Sequence, residues 1–593
     1  MISSDPPEPE ATWVTADLET TVCQRFRDQV QRNPTKIAVT ERAGSLSYAE
    51  LDEYSDRVAT AASCGEPGAN PRVALLLPHG APSVAAFLGV LKAGRVVVGL
   101  SPAEPAGRLG AQRELTGPAA VITTADGRDL AIAAGFEPDQ IRLDGASATA
   151  PAAPPGDPGR LAALITTSGS TGLPKAVMHS HRTMLHNVLR YTNGLGIRPS
   201  DRLAWHAPLS GGQGIVTMLA AVLNGATLCA FPMADRGAAG FSAWLRTEEI
   251  TVLDTLPSVL RHLAATLSAR DVATIRLVRI ASEPAFRTDH DRFRAVFAPG
   301  CRLAHVLASA ETGIIAQRVS TADQPPATER LSVGQPAEGI EIDIVDSDRD
   351  PVGPGETGEL VVSSDYLAAG YWRSADADAR FTTVDGRRSF STGDLATWSA
   401  DGLVMQGRRD LQVKVRGHRV QVDEVEAALM RLPGVAAAAV APVVSPAGDP
   451  QLVAHLVATP DARLDLRAVR TELAATLPGY AVPVAFNPIG ALPLTTTGKV
   501  DRQSLAQVQP PAGSPARMPD TGDHTADRVA QIWAQAFDVE PRELNRSTGF
   551  LQLGGDSLLA AVVGALVFDE FGVGLDMAYF RTDPSVATMA AHL

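Results

Sequence analysis

Cysteine is scarce in this 593-residue chain, and the four that occur are Cys23, Cys64, Cys229 and Cys301, with no CxxC spacing. Scattered thiols support neither a disulfide framework nor a zinc site, and they are typical of a protein that works in a reducing cytoplasm. The N-terminus also lacks a basic start followed by an apolar core, so we expect no signal peptide.

The chain also has fewer basic than acidic residues and few long apolar runs. Lysine and arginine number 52 against 66 acidic residues, which gives a formal net charge of -14. Because phosphate backbones require a basic surface, this balance argues against a nucleic-acid partner. The stretch from Ile215 to Met233 carries no charge, but its threonine, asparagine, glycine and proline predict a buried helix and strand rather than a membrane span.

Hydrophobic residues make up 45% of the chain, and helical and strand-like patterns alternate along its first part. This alternation predicts an α/β architecture with covered sheets. A Pro/Gly-rich stretch, Gln507–His524, predicts a linker before an amphipathic helix, Ala526–Phe537, that opens a helical domain. The predicted N-terminal elements are a polar helix over Ala11–Asn33, strands over Lys36–Thr40 and Gly44–Ser47, a helix over Tyr48–Cys64, a strand over Val73–Leu77, a helix over Ala81–Ala93 and a strand over Val96–Leu100.

A Ser/Thr/Gly loop follows the apolar strand Leu161–Thr166. Glycines let backbone N–H groups turn inward, hydroxyls donate, and a lysine adds positive charge, so the loop predicts a phosphate-binding cradle. Its spacing differs from the Walker A pattern, so it does not indicate a P-loop NTPase, and a plain surface loop remains the alternative. The candidate phosphate-binding residues are Thr167, Ser168, Gly169, Ser170, Thr171, Gly172 and Lys175.

The string TSGSTGLPK is one of an ordered series of motifs. The others are LSYAELD (46–52), LKAGRVVVGLSPAEP (91–105), GELVVSSDYLAAGYW (358–372), STGDLA (391–396), GRRDLQVKVRGHRVQVDEVE (407–426), LPGYAVP (477–483) and LPLTTTGKVDR (492–502). The series resembles the adenylation domains of nonribosomal peptide synthetases, within the adenylate-forming superfamily. This resemblance implies a large N-terminal α/β domain with stacked sheets over 16–408 and a small, mobile α+β subdomain over 409–506. A linker over 507–524 and a four-helix carrier domain over 525–593 would follow.

The resemblance assigns roles to residues at matching positions. It implies that Asp394 binds the ribose hydroxyls of ATP, with Arg408 on the ribose side, and that the chain hinges at Asp410. It also implies that Lys499 bridges the substrate carboxylate and the nucleotide phosphate, and that Glu311 holds Mg²⁺. Taken alone, the aspartates would be a helix cap and a turn residue, and the arginine a surface charge.

The string FLQLGGDSLLA (550–560) resembles the attachment motif of a peptidyl carrier protein. Ser557 is expected at a turn before a helix over Leu558–Phe568. The resemblance implies that a phosphopantetheinyl transferase attaches 4′-phosphopantetheine to this serine. An isolated Asp-Ser pair would instead suggest a helix N-cap.

Two departures from the family pattern concern the substrate pocket. Relatives that activate amino acids show an FDxS string before GATL, but the aspartate position here falls on Gly212. Because a buried ammonium without a partner is costly, we expect an acid without a free α-amine, such as a hydroxy, keto, aryl or short acyl acid. An amine elsewhere, recognised by Asp254 or His305, is the alternative. The family's YGPTE is LASAE here, so Leu307 stands where an aromatic usually packs near adenine. The expected pocket residues are Gly212, Gln213, Val216, Ile280, Val306, Ile314 and Ile315.

The sequence as a whole therefore predicts a cytoplasmic adenylation–carrier didomain for antibiotic or other secondary metabolism. It would activate a carboxylic acid with ATP and load it as a thioester on its own carrier. Because the chain has no HHxxxDG condensation motif or GxSxG esterase motif, a downstream condensation, ketosynthase or tailoring enzyme would receive the acyl group. The alternatives are an acyl-CoA ligase that uses free coenzyme A, a didomain for β- or other unusual amino acids, and a non-catalytic carrier protein.

Overall fold

The chain forms two compact units in a computed structural model. The first comprises Met1–Thr167, Pro174–Phe231 and Ala243–Asp410, and the second comprises Leu411–Leu593 with Ser168–Leu173 and Pro232–Ser242. The residues that the structure describes are 12–63, 71–143, 156–167, 174–233, 240–264, 267–374, 378–384, 386–408, 412–415, 418–444, 450–459, 464–493, 500, 502–507, 524–537, 544, 546, 549–550, 555, 557–576, 579–580 and 584–593.

A six-stranded sheet in the first unit is parallel except for its last pair, in the order β6-β5-β3-β4-β7-β8. Val73 and Leu75 of its β3 strand pack into one hydrophobic core, whereas Ala74 and Leu76 pack into another. The sheet is therefore covered on both faces, which explains why its strands read as unbroken apolar runs. The strands are β3 (Arg72–Leu76), β4 (Val96–Leu100), β5 (Ala120–Thr123), β6 (Ile141–Leu143), β7 (Leu161–Thr167) and β8 (Lys175–Ser180).

A nine-stranded sheet in the same unit has the order β15-β14-β13-β12-β11-β9-β10-β1-β2. Strands β9 to β13 run parallel, so their carboxyl ends share one edge of the sheet. Its strands are β1 (Ile37–Glu41), β2 (Gly44–Ser47), β9 (Arg202–Trp205), β10 (Thr227–Ala230), β11 (Val252–Thr255), β12 (Leu277–Ala281), β13 (Arg302–Ser309), β14 (Gly313–Thr321) and β15 (Gln335–Pro336).

A third, antiparallel sheet has the order β16-β17-β19-β18, and a fifth strand, β20, pairs with β19. The β19–β20 hairpin turns at Gly402, whose φ of 106° favours glycine. A Cβ there would stand 2.4 Å from the Gly334 carbonyl oxygen, so the close approach also requires glycine. The strands are β16 (Glu341–Val345), β17 (Gly358–Ser363), β18 (Phe381–Val384), β19 (Arg387–Ser399) and β20 (Gly402–Arg408).

The single helix predicted over Ala11–Asn33 is wrong. A 3-10 turn covers Thr15–Leu18, and the Thr21 side chain accepts a hydrogen bond from the Gln24 amide at 3.2 Å, which starts the helix only at Val22. The helices up to residue 296 are α1 (Val22–Arg32), α2 (Tyr48–Ala61), α3 (Ala81–Lys92), α4 (Ala106–Thr116), α5 (Arg128–Ala133), α6 (His181–Leu195), α7 (Gly212–Val222), α8 (Phe241–Thr247), α9 (Pro257–Ala264) and α10 (Arg287–Val296).

The uncharged stretch Ile215–Met233 contributes most of α7 and all of β10, and both elements are buried. A buried helix followed by a strand is what its composition predicts. Over the residues that the structure describes, no helix is long and apolar enough to cross a membrane.

The described residues of the second unit form two large hydrophobic cores and a small one, which buries Ala439, Ala441 and Leu505. The first large core lies around a three-stranded sheet in the order β23-β24-β25 and buries Val425, Val440 and Leu473. The second large core is helical and centres on Trp533, whose ring meets that of Phe550 edge-on at 5.3 Å. The elements are β21 (Gln412–Val415), β22 (His418–Gln421), α11 (Val422–Met430), β23 (Val435–Val444), β24 (Pro450–Ala458), α12 (Leu466–Thr476), a 3-10 turn (Gly479–Ala481), β25 (Ala485–Pro488), α13 (Arg502–Gln507), α14 (His524–Phe537), α15 (Ser557–Phe571) and α16 (Val586–His592).

Candidate active site

The flanks of the predicted phosphate loop are the two strands of a hairpin. Thr167 at the end of β7 pairs with Lys175 at the start of β8. The Lys175 Nζ atom lies 5.7 Å from the centroid of the Tyr371 ring, close enough for a cation–π contact. The loop residues between these flanks, Ser168, Gly169, Ser170, Thr171 and Gly172, lie outside the described residues.

Glu311 is buried, with 1% of its surface exposed, two residues after the end of β13. The Tyr371 hydroxyl donates a 2.7 Å hydrogen bond to Glu311 Oε1, and the Ala368 amide donates to the Glu311 carbonyl at 2.9 Å. Tyr371 therefore contacts Lys175 with its ring and Glu311 with its hydroxyl. Sequence reasoning missed this tyrosine, although it lies in the GYW end of a quoted motif.

A histidine supports the backbone next to this carboxylate. His179 Nε2 lies 2.8 Å from the carbonyl oxygen of Ala310, which precedes Glu311. Burial lowers the pKa of His179 to about 4, and the nearby Arg190 cation also lowers it. The imidazole is thus neutral at physiological pH, and its Nε2–H donates to the carbonyl.

The structure brings Asp394 and Arg408 together. They are directly paired across β19 and β20, and the Arg408 Nη1 donates to Asp394 Oδ1. Arg408 Nη2 also donates to the Thr392 carbonyl at 3.1 Å, and the Asp394 amide donates to Thr392 Oγ1 at 3.0 Å. Each charged side chain is only 8% exposed, in a strand, which excludes the helix-cap and surface-charge alternatives.

The expected substrate-pocket residues are only partly gathered. A Cβ added at Gly212, the first residue of α7, would meet no heavy atom within 4 Å, so there is open space beside it. Val216, Val306 and Ile314 belong to one hydrophobic core, as do Ile315 and Leu307. Ile280 is buried on β12 but is not a member of that core, and its place in the pocket stays a prediction.

A buried ion pair that sequence reasoning did not identify lies beside the pocket position Gln213. The Asp254 Oδ1 accepts from Gln213 Nε2 at 2.9 Å and from Arg279 Nη1 at 2.6 Å, while Oδ2 accepts from Thr217 Oγ1 at 2.5 Å and the Tyr191 hydroxyl at 3.1 Å. Asp254 and Arg279 are register partners on β11 and β12, and both side chains are 2% exposed. Burial acts to lower the pKa of Arg279, but the Asp254 carboxylate and Tyr191 offset this and leave it raised, so the cation persists.

Asp254 and His305, the alternative partners for a substrate ammonium group, differ in their contacts. Asp254 already receives four donors, one of them a cation, and so has no acceptor site left for an ammonium group. His305 is buried on β13, and its Nδ1 lies 3.1 Å from the Ser332 carbonyl oxygen.

The sequence did contain a signal for the buried Asp254–Arg279 pair, since each of the two residues stands inside a short apolar strand.

The described residues contain no cluster of three or more His, Cys, Asp or Glu side chains that could hold a metal ion. Mg²⁺ commonly takes one or two carboxylates and completes its shell with water and nucleotide phosphate oxygens. A single buried carboxylate such as Glu311 therefore fits a Mg²⁺ ion that arrives with a nucleotide.

Three further predicted residues, Asp410, Lys499 and Ser557, stand at or beyond the boundary between the two units in the sequence. Asp410 and Lys499 lie outside the described residues, as does 508–523 of the predicted linker. Ser557 is the first residue of α15 rather than a turn residue before it, so the helix predicted over Leu558–Phe568 is longer at both ends.

Comparison with known proteins identifies the modules. The chain matches the AMP-binding enzyme family over residues 26–372, the AMP-binding enzyme C-terminal domain over 424–499 and the phosphopantetheine attachment site over 527–593. Such modules use ATP with Mg²⁺ and carry 4′-phosphopantetheine, which confirms the predicted cofactors.

Two relatives illustrate the degree of sequence similarity. Novobiocin biosynthesis protein H of Streptomyces niveus is 32% identical over 91% of this chain and 90% of its own length. The isonitrile lipopeptide synthase of Mycobacterium tuberculosis is 34% identical over 93% of this chain. The chain spans only 22% of that synthase, and still smaller shares of several other peptide synthetases.

A solved structure shows the same fold. The holo form of PA1221, a nonribosomal peptide synthetase protein that contains adenylation and PCP domains, superposes with a TM-score of 0.78 at 22% identity and covers 98% of both chains. The predicted α/β fold, with a large N-terminal domain and a C-terminal carrier region, is thereby confirmed. The chain belongs to the AMP-binding enzymes, the adenylate-forming ligases, and carries a phosphopantetheine attachment domain of the nonribosomal peptide synthetase type.

Proposed function

We propose that this chain activates a carboxylic acid with ATP as an acyl-adenylate and transfers the acyl group to its own carrier domain. This proposal rests on one observation: the first unit holds two groups of contacting charged side chains, and the same chain carries a carrier motif. One group is the Lys175–Tyr371–Glu311 contact, and the other is the Asp394–Arg408 pair. When attached to Ser557, 4′-phosphopantetheine supplies the thiol that accepts the acyl group.

The chain's own residues take the following parts. The loop from Thr167 to Gly172 and Lys175 bind the nucleotide phosphates, and Glu311 binds the accompanying Mg²⁺. The Asp394 carboxylate accepts from Arg408 at Oδ1 and keeps further acceptor positions, which the ribose hydroxyls use.

Lys499 offsets the charge that develops as the carboxylate attacks the α-phosphate. Its subdomain, 409–506, rotates about Asp410 so that the thiol reaches the adenylate. The remaining units are the large domain over 16–408, the linker over 507–524 and the carrier over 525–593. These boundaries are part of the proposal.

The substrate in this proposal lacks a standard α-ammonium group. Gly212 offers no carboxylate, and the nearby Asp254 is neutralised by Arg279. A relative that makes an isonitrile lipopeptide supports a nonstandard acid. A β- or other unusual amino acid is the second candidate substrate, because its amine would stand elsewhere in the pocket.

The partners in this proposal are a phosphopantetheinyl transferase and a downstream condensation, ketosynthase or tailoring enzyme. Relatives named for novobiocin and gramicidin support a place in antibiotic biosynthesis. The described cysteines, Cys23, Cys229 and Cys301, are unpaired, which suits a reducing cytoplasm.

Loading of the carrier gives a direct test. The holo-protein is incubated with ATP, Mg²⁺ and a panel of carboxylic acids, and intact mass and pyrophosphate exchange are measured. We expect Ser557→Ala to abolish the acyl mass shift while exchange stays within about twofold, and Lys499→Ala to reduce exchange at least 100-fold.

The matched control is Ser547→Ala, in the same domain but outside the attachment motif, which should leave both readouts unchanged. The acyl-CoA ligase alternative would be favoured by two results together. Ser557→Ala and wild type would acylate free coenzyme A at the same rate, and the wild-type carrier domain would not be loaded. Exchange unaffected by Lys499→Ala would overturn the catalytic assignment.

A further inference from the structure

The amide of Gln213 is held in one orientation by the buried ion pair beside it. A carboxylate only accepts hydrogen bonds, so Gln213 must turn its NH₂ group toward Asp254, at 2.9 Å. Its carbonyl oxygen, Oε1, then remains as an acceptor, and no described residue donates to it. Gln213 is only half-buried, and it directly follows Gly212, beside which there is open space.

Arg279 donates to the same carboxylate as Gln213 does. Its Nη1 binds the Asp254 oxygen that also receives Gln213, so guanidinium and amide converge on one atom. The Nε–H of Arg279 is buried and has no hydrogen-bond partner among the described residues. A buried donor without a partner is costly, and such a group commonly marks a place for a ligand or an ordered water.

Gln213 Oε1 and the Arg279 Nε–H, which lack hydrogen-bond partners among the described residues, distinguish the candidate substrate classes. An ammonium group offers only donors and would stand near the Arg279 cation, while a keto group or an unsubstituted chain leaves Gln213 Oε1 unsatisfied. A hydroxyl both donates and accepts, and so meets both needs. We propose that Gln213, positioned by the Asp254–Arg279 pair, is a specificity-determining residue and that the activated acid bears a hydroxyl that bonds to Gln213 Oε1 and an Arg279 N–H. This rests on the proposed adenylating function.

A matched set of acids tests this proposal on the full-length protein. Propanoate, 3-methylbutanoate, 3-phenylpropanoate and benzoate are each supplied as the 2-hydroxy, 2-amino and unsubstituted acid, and kcat/KM for pyrophosphate exchange is measured. We expect the hydroxy acid of the preferred skeleton to exceed its amino and unsubstituted counterparts at least tenfold, because a site built to bond a hydroxyl discriminates strongly against analogues without it.

Two variants locate the preference. Gln213→Leu is expected to lower kcat/KM for the hydroxy acid about tenfold and to leave that for the unsubstituted acid within twofold. The control is Gln112→Leu, since Gln112 on α4 also donates to a carboxylate, that of Glu104, at 2.9 Å. It should leave the preference intact.

The outcomes separate the two proposals. Exchange with none of these acids would count against adenylation itself. Exchange in which the amino or unsubstituted acid equals the hydroxy acid would overturn the hydroxyl assignment alone, as would a preference that survives Gln213→Leu. Even if Gln213→Leu fails to fold, the acid panel on the wild-type protein shows whether a hydroxy acid is preferred.

Discussion

Single side chains connect the parts of this site, and Tyr371 is the clearest case. Its ring is buried in the core, its face lies near Lys175, and its hydroxyl holds Glu311. An aromatic residue in an apolar segment is usually a core residue, so its sequence context gave no reason to single it out. Only the fold, which pairs Val177 with Tyr371, shows the connection.

Tyr371→Phe tests that connection, because it keeps the ring and removes only the hydroxyl. A hydrogen bond to a charged group contributes about 1.5–3 kcal/mol, so we expect kcat/KM for pyrophosphate exchange to fall roughly tenfold or more. If Glu311 binds Mg²⁺, the Mg²⁺ concentration for half-maximal activity should also rise, as measured by titration at saturating ATP. Tyr366→Phe is the control, since Tyr366 stacks on His186 instead. An unchanged Mg²⁺ dependence in Tyr371→Phe would show that the hydroxyl does not position Glu311.

At the scale of elements, apolar strands were the most predictable features. The strand predicted over Val96–Leu100 matches β4 residue for residue, and the helix predicted over Ala81–Ala93 differs from α3 by one residue. These segments are buried throughout and are bounded by proline or glycine, so composition alone marks their limits. The start of α1 was missed because a threonine cap outweighs a continuous polar pattern.

The pairing of β11 with β12 shows what composition could not reveal. Side chains alternate across a strand, so Arg279 and Ile280 lie on opposite faces of β12. The apolar Ile280 was chosen as a pocket residue, whereas Arg279 attracted no attention, because an arginine inside a core strand is expected only where a partner neutralises it. The partner, Asp254, lies 25 residues away in sequence and becomes visible only when β11 and β12 pair.

The Arg279–Asp254 pair predicts a coupled effect on stability. Removing one member of a buried pair leaves an uncompensated charge, so Arg279→Met should lower the free energy of unfolding by about 3–5 kcal/mol. Adding Asp254→Asn removes that charge but retains an acceptor oxygen, so the double variant should recover part of the loss. Urea unfolding of all four combinations measures the coupling.

The comparison pair is Arg246 and Asp271, where the arginine side chain is 50% exposed. Exposed pairs contribute about 0–1 kcal/mol, so Arg246→Met should have a small effect. Equal losses for the two arginine variants, or a double variant no more stable than Arg279→Met, would contradict a buried charge that needs its partner.

For the whole molecule, buried histidines link stability to pH. Burial lowers the pKa of His79, His179 and His181 to about 4 each, and that of His186 to about 2. All four lie in the first unit, where they are neutral in the folded state. In the unfolded chain a histidine titrates near 6.5, so the unfolded chain binds more protons at any pH between these values.

The free energy of unfolding of the first unit should therefore fall as the pH drops from 6.5 toward 4. Each histidine with a folded pKa of about 4 contributes about 2 kcal/mol of this loss at pH 5. In His79→Gln, whose Nε2 amide can replace the bond from His79 Nε2 to the Trp205 carbonyl, the loss between pH 7 and pH 5 should be smaller by that amount. His592→Gln, at an exposed position in the carrier domain, should follow the wild type. Urea unfolding at the two pH values measures the difference, and parallel losses for wild type and His79→Gln would show that this imidazole is not kept neutral by the fold.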